Sequence, residues 1–143
     1  MPDLNEHTSH EVQFFKAKAL QQQSKNTDAL AVYQQLQGVK NEAVAAEARY
    51  RIAELYLAQN DLKGAEEAAG TAIKLNAGNE YWTVKSYLLM ADVLVKQKDY
   101  FNAKATLQSI IKNTKNTELK KEAGQKLTEV KKLEKQVSKL KAE

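Results

Sequence analysis

The chain has 143 residues, of which 43% are hydrophobic and 28% are charged, so it is long and apolar enough to form one folded domain. Five Gly and one Pro are too few for a turn-rich sandwich or barrel and favour long helices. The lack of Cys excludes a disulfide scaffold, a Cys-ligated zinc site and a thiol nucleophile. The longest apolar run, residues 87–91, ends at Asp92, and no charged start leads into an apolar stretch, so we expect neither a membrane span nor a signal peptide.

The net charge of +4 is concentrated at one end of the chain. Residues 1–111 hold 12 Lys/Arg and 13 Asp/Glu, whereas residues 112–143 hold ten Lys and five Glu. In that terminal part the lysines are interleaved with glutamates, which is typical of a solvated helix surface. Arg, the usual residue for bidentate contacts to phosphates and bases, occurs only at Arg49 and Arg51. We therefore expect no nucleic-acid partner.

Three stretches of the sequence, beginning at Glu11, Ala46 and Val84, are similar to one another. In each stretch a large apolar or aromatic residue comes three positions after a first alanine, and a second alanine comes twelve positions after it. The paired alanines are offset by 36 and then 38 residues: Ala17 and Ala29, Ala53 and Ala65, Ala91 and Ala103.

Each stretch is predicted to form a helix hairpin, with polar turns at residues 24–27, 60–61 and 98–99. The alanines would let its two helices approach closely, and stacking of the hairpins would bury the apolar faces that no single hairpin can bury. The expected N-caps of the second helices are Asn26 or Thr27, Asp61 and Asp99. A capping box at residues 8–11 predicts the start of the first helix and leaves residues 1–9 as a frayed segment.

These spacings resemble those of tetratricopeptide repeats, whose unit is a helix–turn–helix of about 34 residues. The resemblance covers residues 10–115, divided into units at about 10–43, 46–79 and 84–115, although Gln13 and Arg49 replace an aromatic residue and no Pro closes a unit. It implies an all-α, right-handed helical solenoid of three hairpins followed by a long C-terminal capping helix. The matching positions are Ile52, Ala53, Tyr56, Leu62, Ala65 and Ala72 in the middle unit, and Tyr87, Met90, Ala91, Leu94, Tyr100, Ala103, Leu107 and Ile110 in the third.

Residues 81–107 are also similar to the final repeats of long envelope-associated tetratricopeptide proteins of Bacteroidetes-type bacteria. This second resemblance implies a bacterial protein of the cell envelope or periplasm. It also implies that the chain is a fragment of a larger protein.

A long amphipathic helix is predicted over residues 117–141, where apolar residues recur every three or four positions. One interpretation is a cap that covers the apolar face of the third unit. At about 1.5 Å per residue, however, this helix is longer than a repeat helix, so its end would project. The alternative is that the end pairs with a second copy, giving a homodimer, or with a further part of a parent protein, through Val130, Leu133, Val137 and Leu140.

The sequence contains no pattern that predicts catalysis or metal binding. His7 and His10 are three residues apart but have no third ligand near them in the sequence. Glu66 and Glu67 are adjacent and would point apart on a helix. No Gly-rich phosphate loop, nucleophile elbow or zinc-protease motif occurs. We expect no enzyme, no metal and no cofactor.

Two aromatic pairs have a structural and a functional interpretation. Tyr81 and Trp82 lie in a four-residue insertion before the third unit, where they either anchor a partner or, as we favour, fill the gap that the insertion creates. Tyr100 and Phe101 are predicted to pack in the core at the start of a second helix.

The family resemblance implies that the first helices line a concave groove that binds a peptide or protein segment. Three of the groove residues, Phe14, Tyr50 and Leu88, would form an accessible apolar stripe. The carboxylate clamp of some family members is not expected, because Phe14, Lys18 and Leu89 occupy the positions that it needs. The implied groove positions are Phe14, Lys18, Gln21, Glu47, Tyr50, Glu54, Leu57, Lys85, Leu88, Asp92 and Val95.

Two functions remain open from the sequence. The first is a non-catalytic interaction scaffold that binds a protein segment in the groove. The alternative is a structural end-cap and self-association module of a larger solenoid. An accessible stripe favours the first function, whereas a buried stripe favours the second.

Overall fold

The computed structural model describes the backbone of residues 2–142 and the side chains of residues 8–142. Within that part of the chain there are seven helices and no strand, which confirms the predicted all-α fold. The helices are α1 (Pro2–Gln22), α2 (Asn26–Leu36), α3 (Glu42–Ala58), α4 (Leu62–Leu75), α5 (Glu80–Lys96), α6 (Tyr100–Asn113) and α7 (Thr117–Ala142).

The helices pair in chain order, so that α1 packs on α2, α3 on α4 and α5 on α6. The first helices α1, α3 and α5 also contact one another in sequence, which makes the structure an array of hairpins. Helix α7 packs on α6 and touches α5, as α5 packs on α4 and touches α3. It therefore stands where the first helix of a fourth hairpin would stand.

Alanine pairs hold the two helices of each hairpin together. The six alanines that define the repeat are all between 0 and 1% exposed. Small side chains at a helix crossing allow the backbones to come close, because the approach is limited by what projects between them. The larger core residues, among them Tyr33, Leu55 and Leu107, are likewise almost completely buried and fill the space around these crossings.

The three hairpin turns have the same backbone conformation. Ser24, Asn60 and Lys98 have φ values of 61°, 59° and 65°, in the left-handed region. In each turn the next residue donates its N–H five residues back, as Asp61 does to the carbonyl of Tyr56 at 2.9 Å. These are the bonds of a Schellman motif, which ends a helix by satisfying its last carbonyls.

Two of the predicted N-caps occur as expected. The Asp61 side chain accepts from the N–H of Gly64 at 2.9 Å, and that of Asp99 accepts from the N–H of Asn102 at 3.2 Å. The prediction for α2 is wrong, because Lys25 occupies its N-cap and makes no side-chain capping bond. The sequence analysis did not identify three further caps, at Asn41, Asn79 and Asn116.

The predicted start of α1 is also wrong. Its backbone is helical from Pro2, whereas the capping box predicted a start at residues 8–11. Pro is favoured in the first turn of a helix, since its missing N–H would have no partner there. The prediction of fraying concerned residues 1–9, and the side chains of residues 1–7 lie outside the described residues.

Replacing Lys98 with Gly is expected to stabilise the fold by about 0.5–1 kcal/mol, because Gly adopts a positive φ without the steric cost that a side chain incurs. The matched control is Lys96→Gly, at the last residue of α5, where the helical φ gives Gly no advantage, so it should destabilise by up to about 1 kcal/mol. Urea unfolding followed by circular dichroism measures both changes. If Lys98→Gly destabilises the chain as Lys96→Gly does, the left-handed turn is not present in solution.

Candidate functional site

A row of polar side chains runs across the first helices and onto α7; we call it the first-helix face. Its first half joins α1 to α3. Lys18 lies 3.3 Å from Glu47, and Arg51 contacts both Glu47 and Glu54 at 2.9 Å. Six members of the row were predicted as groove positions. The row consists of Lys18, Gln21, Glu47, Arg51, Glu54, Lys85, Asp92, Glu122 and Lys126.

The Glu54 carboxylate is the centre of this half. Besides Arg51, it accepts hydrogen bonds from the Gln21 amide and, at 3.2 Å, from the Tyr50 hydroxyl. The Tyr33 hydroxyl in turn donates to Gln21 at 2.9 Å. Three helices, α1, α2 and α3, are thus joined by one network that lies at the edge of the core.

The second half of the row joins α5 to α7. Lys126 donates to both carboxylate oxygens of Asp92 at 3.0 Å, and Lys85 lies 3.8 Å from Glu122. Sequence reasoning identified Lys85 and Asp92 but missed their partners. Finding Glu122 and Lys126 required treating α7 as a further first helix. Arg51 could have been identified, because it follows Glu47 by four residues on the same helix.

The predicted accessible apolar stripe is absent. Phe14 and Tyr50 are 7% exposed and Leu88 is 2% exposed, so all three belong to the core. The Phe14 ring packs against Tyr33 and lies under the Lys18 ammonium, 5.2 Å from its centroid. Long polar side chains cover apolar surface with their stems while their charged ends stay in water, and this explains the burial. Only Leu57 and Val95 remain as half-buried apolar groove residues.

Trp82 packs against Tyr50 of the preceding hairpin, which agrees with the structural interpretation that we favoured for it, whereas Tyr81 is 45% exposed. The Trp82 ring lies 5.3 Å from that of Tyr50 and 4.9 Å, edge-on, from that of Tyr81. The Arg51 guanidinium lies within 5.9 Å of both Tyr50 and Trp82, at the distance of a cation–π contact. Phe101, by contrast, is 76% exposed, so its predicted place in the core is wrong, although Tyr100 packs there in part.

Burial and neighbouring charges shift several pKa values on this face. Burial raises the pKa of Tyr33 to about 12 and also raises that of Tyr50, where the Glu54 carboxylate adds to the effect. Burial lowers the pKa of Arg51 because it disfavours the charged form. The Glu54 and Glu47 carboxylates raise the pKa by more, so it is raised overall. Burial raises the pKa of Asp92 above its ordinary value, since Lys126 offsets only part of this cost. The tyrosines therefore stay neutral and Arg51 charged near pH 7.

The described part of the chain has no group of three or more His, Asp or Glu that could hold a metal ion. Of the two histidines considered from the sequence, His10 is half-buried, and the side chain of His7 lies outside the described residues. The carboxylates of the first-helix face are occupied by cations, so the face offers charges for recognition rather than a free acid or base.

Two matches to protein-family models show which family the hairpins belong to. Residues 46–79 and residues 85–116 each match a tetratricopeptide repeat family model. The chain contains tetratricopeptide repeats. The match confirms the family predicted from the sequence, and the two ranges correspond to the α3–α4 and α5–α6 hairpins. Helices α1, α2 and α7 lie outside them. A search of curated proteins finds no match.

Tetratricopeptide repeats generally mediate protein–protein interactions, and the family is typically a non-catalytic scaffold. Protein partners are therefore implied for this chain. Among the residues that the structure describes, no helix is long and apolar enough to cross a membrane.

The residues predicted for self-association divide into two groups. Val130 is 5% exposed and packs with Leu107 and Leu119 in the core, so its predicted role in a copy–copy contact is wrong. Leu133 and Leu140 are 36% and 73% exposed, and Val137 is half-buried. Helix α7 thus caps the third hairpin along most of its length. Its last two turns carry the exposed Leu140.

Asp92 should titrate above the ordinary aspartate pKa of about 3.9. Because its folded pKa is raised, protonation of this group adds stability as the pH falls through that value. Replacing Lys126 with Met should raise the Asp92 pKa further, and Glu122→Gln should lower it. Carboxyl-carbon NMR titration of the wild type and both variants measures the three values. An Asp92 pKa below the ordinary value would contradict the assigned burial.

Proposed function

We propose that this tetratricopeptide repeat protein is a non-catalytic scaffold that binds a segment of a protein partner across the first-helix face. The observation that carries the proposal is the row of charges, which joins α1 to α3 and α5 to α7 through ion pairs. Between the two halves the Lys85 ammonium lies over the Tyr50 ring, 5.5 Å from its centroid. A row that crosses successive helices offers a partner segment contacts along its length rather than at one point.

The chemistry of the face favours a polar partner segment of mixed charge. Each cation in the row lies beside a carboxylate. A partner segment must therefore replace these ion pairs with its own, and such an exchange contributes more to specificity than to affinity. The face can also accommodate an apolar side chain of the partner. A cavity of about 140 Å³ lies between α5, α6 and α7, with Val95 on one wall and Asp92 and Lys126 at its side.

The test begins with peptides selected from a random phage-displayed library on the immobilised chain. Their Kd values are then measured by calorimetry against the wild type, Lys85→Glu on the face, and Lys63→Glu on the exposed side of α4. Charge reversal on the face should weaken binding about tenfold or more, because it places like charges opposite the peptide. The Lys63→Glu control should bind as the wild type does. Peptides that bind both variants with unchanged affinity would argue against the face.

The alternative, a structural end-cap that self-associates within a larger assembly, is favoured by the burial of Phe14, Tyr50 and Leu88 and by separate observations at the two ends of the array. Val12 and Phe15 on α1 are 61% and 67% exposed. The residues at the corresponding positions of α5, Ser86 and Leu89, are 0% and 6% exposed, because α5 packs on the second helix of the preceding hairpin. A preceding second helix would cover α1 in the same way. At the other end, Leu140 is exposed on the last turns of α7.

Self-association through α7 predicts that the chain is dimeric at high concentration. Leu133→Glu combined with Leu140→Glu should make it monomeric, since two buried charges would have no partners in the contact. The matched control is Leu75→Glu, which introduces the same charge at an exposed leucine of α4. Light scattering coupled to size exclusion measures the mass. A wild-type chain that stays monomeric at every concentration would contradict this alternative.

A further inference from the structure

The third hairpin contains an open cleft that the first-helix face does not include. Its volume is about 580 Å³, and it lies between the first half of α5 and the second half of α6. The walls are mainly apolar, with Val84, Tyr87 and Ile110 among them. Within this lining, all of which the structure describes, Glu80 alone carries a charge, and it forms no ion pair with a described residue.

The second hairpin shows what occupies the equivalent place. The helix caps of the two hairpins correspond at an offset of 38 residues, since Asn41 aligns with Asn79 and Asp61 with Asp99. At this offset Glu42 corresponds to Glu80, Arg49 to Tyr87, and Asn76 to Thr114. All three residues of the third hairpin line the cleft.

In the second hairpin, Arg49 fills this place and is held on several sides. Its guanidinium donates to the Glu42 carboxylate, the Asn76 side chain and the Gln37 carbonyl, each at 2.9 Å. Asn76 is itself fixed by donating to the carbonyl of Ala46 at 2.9 Å. The Arg49 side chain is only 10% exposed, so the guanidinium is almost completely enclosed.

The third hairpin keeps the carboxylate of this arrangement but lacks the cation. Tyr87, in the position of Arg49, is 39% exposed and leaves the space unfilled. Larger side chains also prevent the close approach of the helices at this end. Val84 replaces Ala46 and Ile110 replaces Ala72, and α5 and α6 pack over a less extensive contact than α3 and α4 do.

We infer that this cleft binds an arginine side chain of a partner protein, in the manner in which the second hairpin binds its own Arg49. The guanidinium pairs with Glu80, while its stem packs on Val84 and Ile110 and its plane stacks on the Tyr87 ring. Arginine suits the place better than lysine, since its planar guanidinium holds several N–H donors in fixed directions, as Arg49 does when it donates to three separate acceptors.

The test uses the peptide acetyl-Ala-Arg-Ala-amide and its counterpart in which citrulline, a neutral isostere, replaces arginine. In ¹⁵N NMR spectra of the whole chain, the arginine peptide should shift the amide signals of Thr83, Val84, Tyr87 and Ile110 saturably, whereas the citrulline peptide should not. Glu80→Gln should weaken binding about tenfold, because a charge-assisted pair becomes a neutral hydrogen bond. The control Glu67→Gln, at an exposed site on α4, should bind as the wild type does.

A second variant rebuilds the internal arginine. Tyr87→Arg combined with Thr114→Asn places an internal arginine and its Asn acceptor beside Glu80, as Arg49 and Asn76 stand beside Glu42, so it should raise the Tm and abolish the response to the peptide. Equal binding of the arginine and citrulline peptides, unchanged binding by Glu80→Gln, or no saturable shift up to about 10 mM peptide would each overturn the proposal. So would a folded Tyr87→Arg, Thr114→Asn variant that binds the peptide as tightly as the wild type.

Discussion

The burial of a small alanine on each helix of every hairpin is the constraint on which the rest of the structure depends. Ala53 on α3 and Ala65 on α4 are both completely buried, as are their counterparts in the other hairpins. Small side chains at a helix crossing let the two backbones approach closely. Successive first helices contact each other, and Lys18 on α1 reaches Glu47 on α3. The row of charges therefore depends on the hairpin packing that these alanines permit.

The features that the sequence predicted correctly are those that depend on neighbours along the chain. The alanine spacing is local, and so are the caps at Asp61 and Asp99, because a capping side chain bonds to a backbone group three residues away. The burial of Phe14 and Tyr50 depends instead on what other side chains do. Arg51 and Lys85 lie over the Tyr50 ring, and no pattern of spacing specifies that their stems bend across it rather than into water.

Helix α7 contributes both to the core and to the first-helix face, a combination that the sequence analysis did not consider. Its apolar side, with Leu119 and Ala123, completes the core of the third hairpin. Its polar side supplies Glu122 and Lys126, the partners of Lys85 and Asp92. Since α7 stands where a fourth first helix would stand, the helix that closes the core also extends the first-helix face by one position. Capping of the core is therefore compatible with a contribution of this helix to the proposed binding face over residues 117–130.

The second and third hairpins show how one backbone plan gives two different surfaces. Both begin their first helix with an Asn cap and a Glu, and both begin their second with an Asp cap. The second hairpin has alanines where the helices meet near Arg49, so the helices approach closely and the guanidinium is enclosed between three oxygen acceptors. In the third hairpin, bulkier residues at the same positions keep a cleft open beside Glu80. Repeat architecture tolerates such differences because each hairpin contacts only its neighbours, so a change of side-chain volume in one hairpin need not disturb the next.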